Sequence, residues 1–148
     1  TGPLADCSFA GGFITTKYCG IKYNSDIQLI TPSWVFRHHT NVNFKYLVFT
    51  VLQRPKSRGF IRLKSINAND HPIIDPKYLS DKRDLKVLAE GCKIVYNLTK
   101  VMENNEYEFK RENLFVPQCE VYSKTCEEKF WHCIVKHLIT TMYHPCGT

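Results

Sequence analysis

No apolar run in this chain approaches the roughly 20 consecutive residues that a membrane helix needs, which excludes a helical span. Glycine-rich phosphate loops are missing too. Neither a Gly-x-Gly-x-x-Gly stretch nor a Walker-type loop occurs, so these residues cradle no nucleotide by those devices. The cysteines form none of the closely spaced pairs on which zinc sites are usually built. No collagen, coiled-coil or longer repeat period is present. The N-terminus has neither a basic n-region nor an apolar h-region, so no signal peptide is read from it. Concentrated positive charge is also lacking. Lys17, Lys22, Arg37 and Lys45 are scattered, and the tightest basic stretch, Arg54 to Lys64, alternates with Phe60, Ile61 and Leu63 as a strand would. A nucleic-acid partner is therefore not expected, because such proteins gather basic residues on one face.

What remains is the profile of a packed domain. The chain has 148 residues, 43% hydrophobic and 13% aromatic, with a formal net charge of +6. This length predicts one domain, residues 1–148, burying roughly 68–70% of its unfolded surface. That core suffices to fold without metals or disulfides. Thr1 in place of an initiator Met, and an end at Pro145-Cys146-Gly147-Thr148, lead to the expectation of a piece cut from a longer polypeptide. Seven cysteines and the sequon Asn97-Leu98-Thr99 favour an extracellular parent.

Phe13 to Tyr18 and Asp26 to Ile30 read as short strands, the second stopped by Pro32. Trp34 to Asn43 reads as a surface excursion carrying His38-His39. Tyr46 to Leu52 is rich in β-branched and aromatic residues, and Gly59 to Lys64 alternates as a half-buried strand does. Joined by Gln53 to Arg58, these two strands are expected to pair antiparallel. His71 to Pro76 must be extended, since each proline biases its predecessor away from helix. Leu85, Leu88, Ala89, Cys92, Val95, Tyr96 and Thr99 then recur at helical spacing as far as about Met102, behind a cap at Ser80 or Asp81. A second helix is announced by a capping box, Thr125-Cys126-Glu127-Glu128, with Phe130, Trp131, Ile134, Val135 and Leu138 as its buried stripe. Strands first and helices later predict an α+β domain, a mostly antiparallel sheet with helices packed on one side.

Three clusters could carry chemistry. Cys119, Cys126 and Cys133, with His137 one turn after Cys133, could ligate a metal. The alternative is buried or disulfide-bonded cysteine, and a Cys119–Cys133 bridge would tie the loop before the last helix to that helix. Cys146 lies two residues from His144, but neighbours that close point in different directions and no orienting acid is near. His144 itself stands before Pro145, which cannot continue a helix, and near Gly147, which permits an unusual turn. A histidine at such a helix-to-loop break is well placed to face a cavity, but from the residues alone a hydrogen-bonded structural histidine is the commoner outcome and a catalytic role the alternative.

Four stretches also carry a family resemblance: Asp26-Ile27-Gln28-Leu29, with Ser25 where the pattern has proline; Arg54 to Leu63; Pro72 to Leu79 followed by Asp84; and Trp131-His132-Cys133 with His144-Pro145-Cys146-Gly147-Thr148. In this order they resemble the C-terminal, substrate-side region of the glucose–methanol–choline (GMC) family of FAD-dependent oxidoreductases, its insect glucose dehydrogenase-like members above all. The resemblance implies an antiparallel sheet roofing an active site. It matches His144 to the family's catalytic histidine, which takes the hydroxyl proton of an alcohol or sugar while hydride passes to flavin N5. It places Met142 along the substrate pocket and Tyr143 and Pro145 near the flavin. The implied partners are the small-molecule substrate and the FAD-binding domain of the same parent chain. The family's second active-site His or Asn and its dinucleotide-binding fold are not among these residues, so the segment alone is expected neither to hold FAD tightly nor to turn over. Two other readings are a non-catalytic secreted interaction domain that kept the scaffold, and a disulfide-rich binding domain with most cysteines paired.

Overall fold

The computed structural model describes residues 9–21, 24–32, 35–38, 41–44, 47–103 and 115–141. Among these, the elements in chain order are β1 (Phe9–Ile14), β2 (Ile27–Pro32), β3 (Val35–His38), β4 (Asn41–Phe44), β5 (Phe49–Leu52), β6 (Phe60–Arg62), β7 (Ile73–Asp75), α1 (Lys82–Glu103), α2 (Glu120–Ser123) and α3 (Glu127–Leu138). A single 3-10 turn, Pro117–Cys119, precedes α2. The architecture is α+β with antiparallel pairing throughout the described strands, as the sequence pattern predicts.

The main sheet has β2 at its centre, flanked by β1 and β5. Ile27 lies opposite Ile14 on one side and Leu52 on the other. Its side chain has 0% exposure, a burial that stabilises by about 1.5–3 kcal/mol. Helix α1 lies on this face, with Leu88 and Ala89 in the core beside Ile27, and α3 adds Trp131, Ile134 and Val135. Gly91 lets the helix approach: a Cβ there would lie 2.7 Å from Thr50 Cγ2 and 3.2 Å from Ile27 Cγ1. Trp131 sits edge-on to both Tyr96 and Phe130, with ring centroids 5.3 and 5.2 Å away. No described helix is long and apolar enough to cross a membrane.

The first strand runs Phe9–Ile14 and not Phe13 to Tyr18, and four further expectations need correction. The strand ending at Leu52 does not pair with the one beginning near Gly59; β5 pairs with β2, and β6 pairs with β7. The intervening residues are no hairpin turn because their N–H groups are engaged elsewhere. Gln53 N donates to Asp26 O, and the Lys56 and Ser57 N–H groups donate to the Asp84 carboxylate. Second, the stretch from Trp34 to Asn43 is not a plain excursion. It contains a two-stranded hairpin, β3 against β4, with His38 opposite Asn41; Trp34 and His39 lie outside the described residues.

Third, the 60–63 alternation has no buried face here: Ile61 is 62% and Leu63 82% exposed. Its partner β7 is itself a three-residue strand, and no helix packs on the pair among the described contacts. Fourth, the capping box does not form. Helix α3 starts one residue later, with Cys126 as its N-cap and no side-chain capping bond. Thr125 Oγ1 donates back to Val121 O at 2.9 Å instead, closing the end of α2. Helix α1 is capped as expected, by Asp81, whose Oδ1 accepts from Arg83 N at 2.9 Å.

Candidate active site

Two buried carboxylates organise the loops around the sheet. Asp26 accepts from Thr16 N at 2.8 Å and from Thr16 Oγ1 at 2.6 Å, clasping the chain leaving β1 to the start of β2. Asp84, in the first turn of α1, accepts from Lys56 N at 2.8 Å and from Ser57 N at 2.7 Å. Charge-assisted bonds of this kind are roughly twice as strong as neutral ones. Ser57 Oγ in turn accepts from Asp81 N at 3.0 Å. Arg58 closes the same turn by donating to Pro55 O and Ser57 O at 2.7 and 2.8 Å. The turn therefore ends rigidly at Gly59, where a Cβ would stand 2.0 Å from Asp75 O and 2.6 Å from the Pro76 backbone. Arg58-Gly59 and Asp75-Pro76 shape backbone here.

Beyond Pro76 the chain takes an unusual course. Lys77 and Leu79 have φ of 46° and 59°, the left-handed region, at a cost of roughly 1–2 kcal/mol for each such residue. Lys77 N is held by Asp75 Oδ1 at 3.0 Å, and Ser80 N by Lys77 O at 3.1 Å. Leu79 packs against the core. Tyr78, between them, is 43% exposed, and its hydroxyl is hydrogen-bonded to Thr141 Oγ1, 63 residues away in sequence.

Thr141 is the last described residue before the segment containing His144. Helix α3 ends at Leu138, and Ile139 already has extended backbone, φ −61° and ψ 134°, with its N–H on Val135 O at 3.0 Å. The break thus falls well before Pro145, where the sequence reading put it. Ile139, Thr140 and Thr141 are three β-branched residues in a row, which helices accommodate poorly. Met142, Tyr143, His144, Pro145 and Cys146 lie outside the described residues.

The cysteine cluster resolves to a disulfide. Cys119 and Cys133 are bonded, their Cα atoms 5.6 Å apart, tying the 3-10 turn to α3. His137 Nδ1 lies 3.8 Å from Cys119 Sγ and 3.7 Å from Cys133 Sγ, and donates to Cys133 O at 2.9 Å. Cys119, Cys133 and His137 are close enough to share an ion. Bonded to each other, however, the two sulfurs carry no thiolate charge to offer one. Among the described residues Cys19, Cys92 and Cys126 are free thiols and Cys119–Cys133 is the one bridge, while Cys7 and Cys146 lie outside them. Burial pushes the Cys92 thiol pKa up, which keeps it protonated and unreactive.

An FAD pyrophosphate would need free N–H groups or positive charge at a helix N-terminus. That end of α1 is filled by Asp81 and Asp84, and that of α3 by Glu127 and Glu128. These described helix ends do not fit the pyrophosphate. Sequence reasoning missed the Tyr78–Thr141 bond and both carboxylate clasps. Their partners are far apart in the chain, and only the family-like stretches containing Asp26, Tyr78 and Asp84 pointed toward them.

Residues 55–148 match the family described as GMC oxidoreductase. Glucose dehydrogenase (FAD, quinone) from Drosophila melanogaster is 30% identical over 144 residues, covering 91% of this chain and 23% of its own length. Its counterpart from Drosophila pseudoobscura pseudoobscura is 32% identical over 101 residues, 68% of this chain and 16% of its own. Alcohol dehydrogenase (acceptor) from Pseudomonas putida is 30% identical over 144 residues, 94% of this chain and 24% of its own. The chain thus spans less than a quarter of the length of these relatives. No solved structure matches it significantly. A family match over well more than half of the residues, supported by relatives that cover nearly all of them, makes this chain a member of the GMC oxidoreductase family.

Proposed function

We propose that this chain is the substrate-side region of a longer FAD-dependent oxidoreductase that oxidises a CH–OH group of an alcohol or sugar, and that His144 is its proton acceptor. One observation carries the reading: the family match extends from residue 55 to residue 148 and so takes in the His144-Pro145-Cys146-Gly147-Thr148 element. The relatives' names, glucose dehydrogenase and alcohol dehydrogenase, support the substrate class. A neutral imidazole, with an ordinary pKa of roughly 6.5, accepts the hydroxyl proton near neutral pH. FAD, held by the rest of the longer polypeptide, supplies the hydride acceptor that no side chain provides. Met142 lines the substrate pocket, and Tyr143 and Pro145 approach the flavin. The Cys119–Cys133 bridge supports an extracellular setting, where disulfides persist.

The test is anaerobic reduction of the full-length protein's flavin by a panel of sugars and primary alcohols. Bleaching of the flavin bands by one substrate, with a large rate loss in His144→Ala, is the expected result. Near-normal reduction in His144→Ala removes that residue from the proton step. A folded full-length protein without flavin bands, even when supplied with FAD, turns the reading toward a non-catalytic interaction domain.

A further inference from the structure

We infer that Asn97, on the outer face of α1, carries an N-linked glycan, an inference that rests on the extracellular setting proposed above and not on the role of His144. Asn97-Leu98-Thr99 is the single Asn-x-Ser/Thr tripeptide in the chain, and its middle residue is not proline. It falls inside α1, so the helix decides which way the asparagine looks. Asn97 follows Leu88 by about two and a half helical turns. Leu88 is 8% exposed in the core, which places Asn97 on the opposite side, and it is exposed. The buried residues of α1, Asp84, Leu88, Ala89 and Gly91, all lie in its first half, whereas Leu98 is 52% exposed. A bulky hydrophilic group on Asn97 therefore meets solvent and displaces no core residue.

The helix also dictates when the group is added. In the folded chain Thr99 Oγ1 donates to Tyr96 O at 2.9 Å, so the hydroxyl of the tripeptide is turned back on α1. Helices take most of their stability from tertiary packing. Leu88 and Ala89 share the core with Trp131, Ile134 and Val135 of α3, which is synthesised later. Until α3 follows, the tripeptide is open to a transferase. Asn97 Nδ2 then attacks the anomeric carbon of a lipid-diphosphate-linked oligosaccharide. The new C–N bond forms as the sugar C–O bond to the diphosphate breaks, and Nδ2 gives up one proton. The Cys119–Cys133 bridge independently fits the compartment where this transfer occurs, because disulfides form in the oxidising lumen of the secretory pathway.

The experiment expresses the full-length protein, with its own N-terminus, in cultured insect cells. Mass spectrometry follows the tryptic peptide 94–100, delimited by Lys93 and Lys100, before and after peptide-N-glycosidase. In the secreted protein this peptide should be recovered mostly with a glycan, and the glycosidase should leave aspartate at position 97. Asn97→Gln and Thr99→Ala should each lose the glycan while the Cys119–Cys133 bridge still forms. Thr99→Ser, which keeps the hydroxyl, should retain it.

A secreted protein with the bridge formed and an unmodified 94–100 peptide overturns the inference and leaves the extracellular reading intact. A chain that stays in the cytosol with Cys119 and Cys133 reduced overturns that reading, and the glycan with it. A modification of this peptide that survives in Asn97→Gln overturns the assignment to Asn97. If the variants fail to fold, the wild-type peptide decides alone, because the glycosidase marks the residue that carried the glycan.

Discussion

At Gly59 a hydrogen atom is all the structure tolerates. The nearest atoms are backbone, the Asp75 carbonyl oxygen and Pro76, and backbone cannot rotate aside as a flexible side chain would. Gly59→Ala is expected to lose roughly 1–3 kcal/mol, measured by denaturant unfolding; an unchanged midpoint would show that β6 and β7 separate freely. Asp81 permits a prediction in pH. The Arg83 side chain, hydrogen-bonded to it, pulls its carboxyl from the usual value of 3.8 down to about 2. A carboxyl with a lowered folded-state pKa adds stability above its unfolded value, and that contribution is lost as pH falls through the folded one. Asp81→Asn keeps an N-cap acceptor and removes only the charge. Wild type should therefore melt above this variant at pH 5, with the gap closing between about pH 3.8 and 2. A gap that persists below that window would assign the difference to the cap and not to the ion pair.

Among the elements, helix α3 shows how much of a helix lies in local pattern and how much does not. Of its predicted stripe, Trp131, Ile134 and Val135 are buried and Phe130 partly so, because a 3.6-residue period requires nothing distant, whereas Leu138 in the last turn is 49% exposed. Its two ends were misread. Thr125 was expected to cap it but bonds back to Val121, and Pro145 was expected to end it although Ile139 already has. Both choices depend on neighbours: α2 lies just upstream, and Ile139 goes to the core. The disulfide fastens this helix near its middle. The closed loop, with a sequence separation of 14, is short enough that the chain-entropy relation gives about 3 kcal/mol. Reduction, or Cys119→Ala with Cys133→Ala, should lower unfolding stability by about that amount. No change on reduction would mean that the packing of Cys119, Trp131 and Val135 suffices without the covalent tie.

For the whole molecule the decisive question is whether the segment beginning at Met142 does chemistry, and His144→Ala in the full-length protein answers it. Flavin reduction slower by a factor of about 100 or more is expected for the loss of a general base. A rate within about threefold of wild type would move the proton step to another group.

Much of the molecule was legible from residue order. Element order and periodicity predicted the α+β class, the long helix from Lys82 and most of the core stripe of the last helix, because burial writes itself into short-range spacing. The family stretches likewise pointed to the GMC oxidoreductases, the family that residues 55–148 match. Strand partnership was decided elsewhere. Leu52 and Phe60 look like the two sides of a hairpin, yet β5 joins β2 and β6 joins β7, because Asp84 claims the N–H groups that a turn between them would use. The bonds from Asp26 to Thr16, from Asp84 to Ser57 and from Tyr78 to Thr141 are likewise products of packing. Local spacing cannot encode them. A buried carboxylate or a tethering hydroxyl is satisfied by whatever donor the folded core brings within 3 Å or so, and that donor is chosen by the assembly of distant segments.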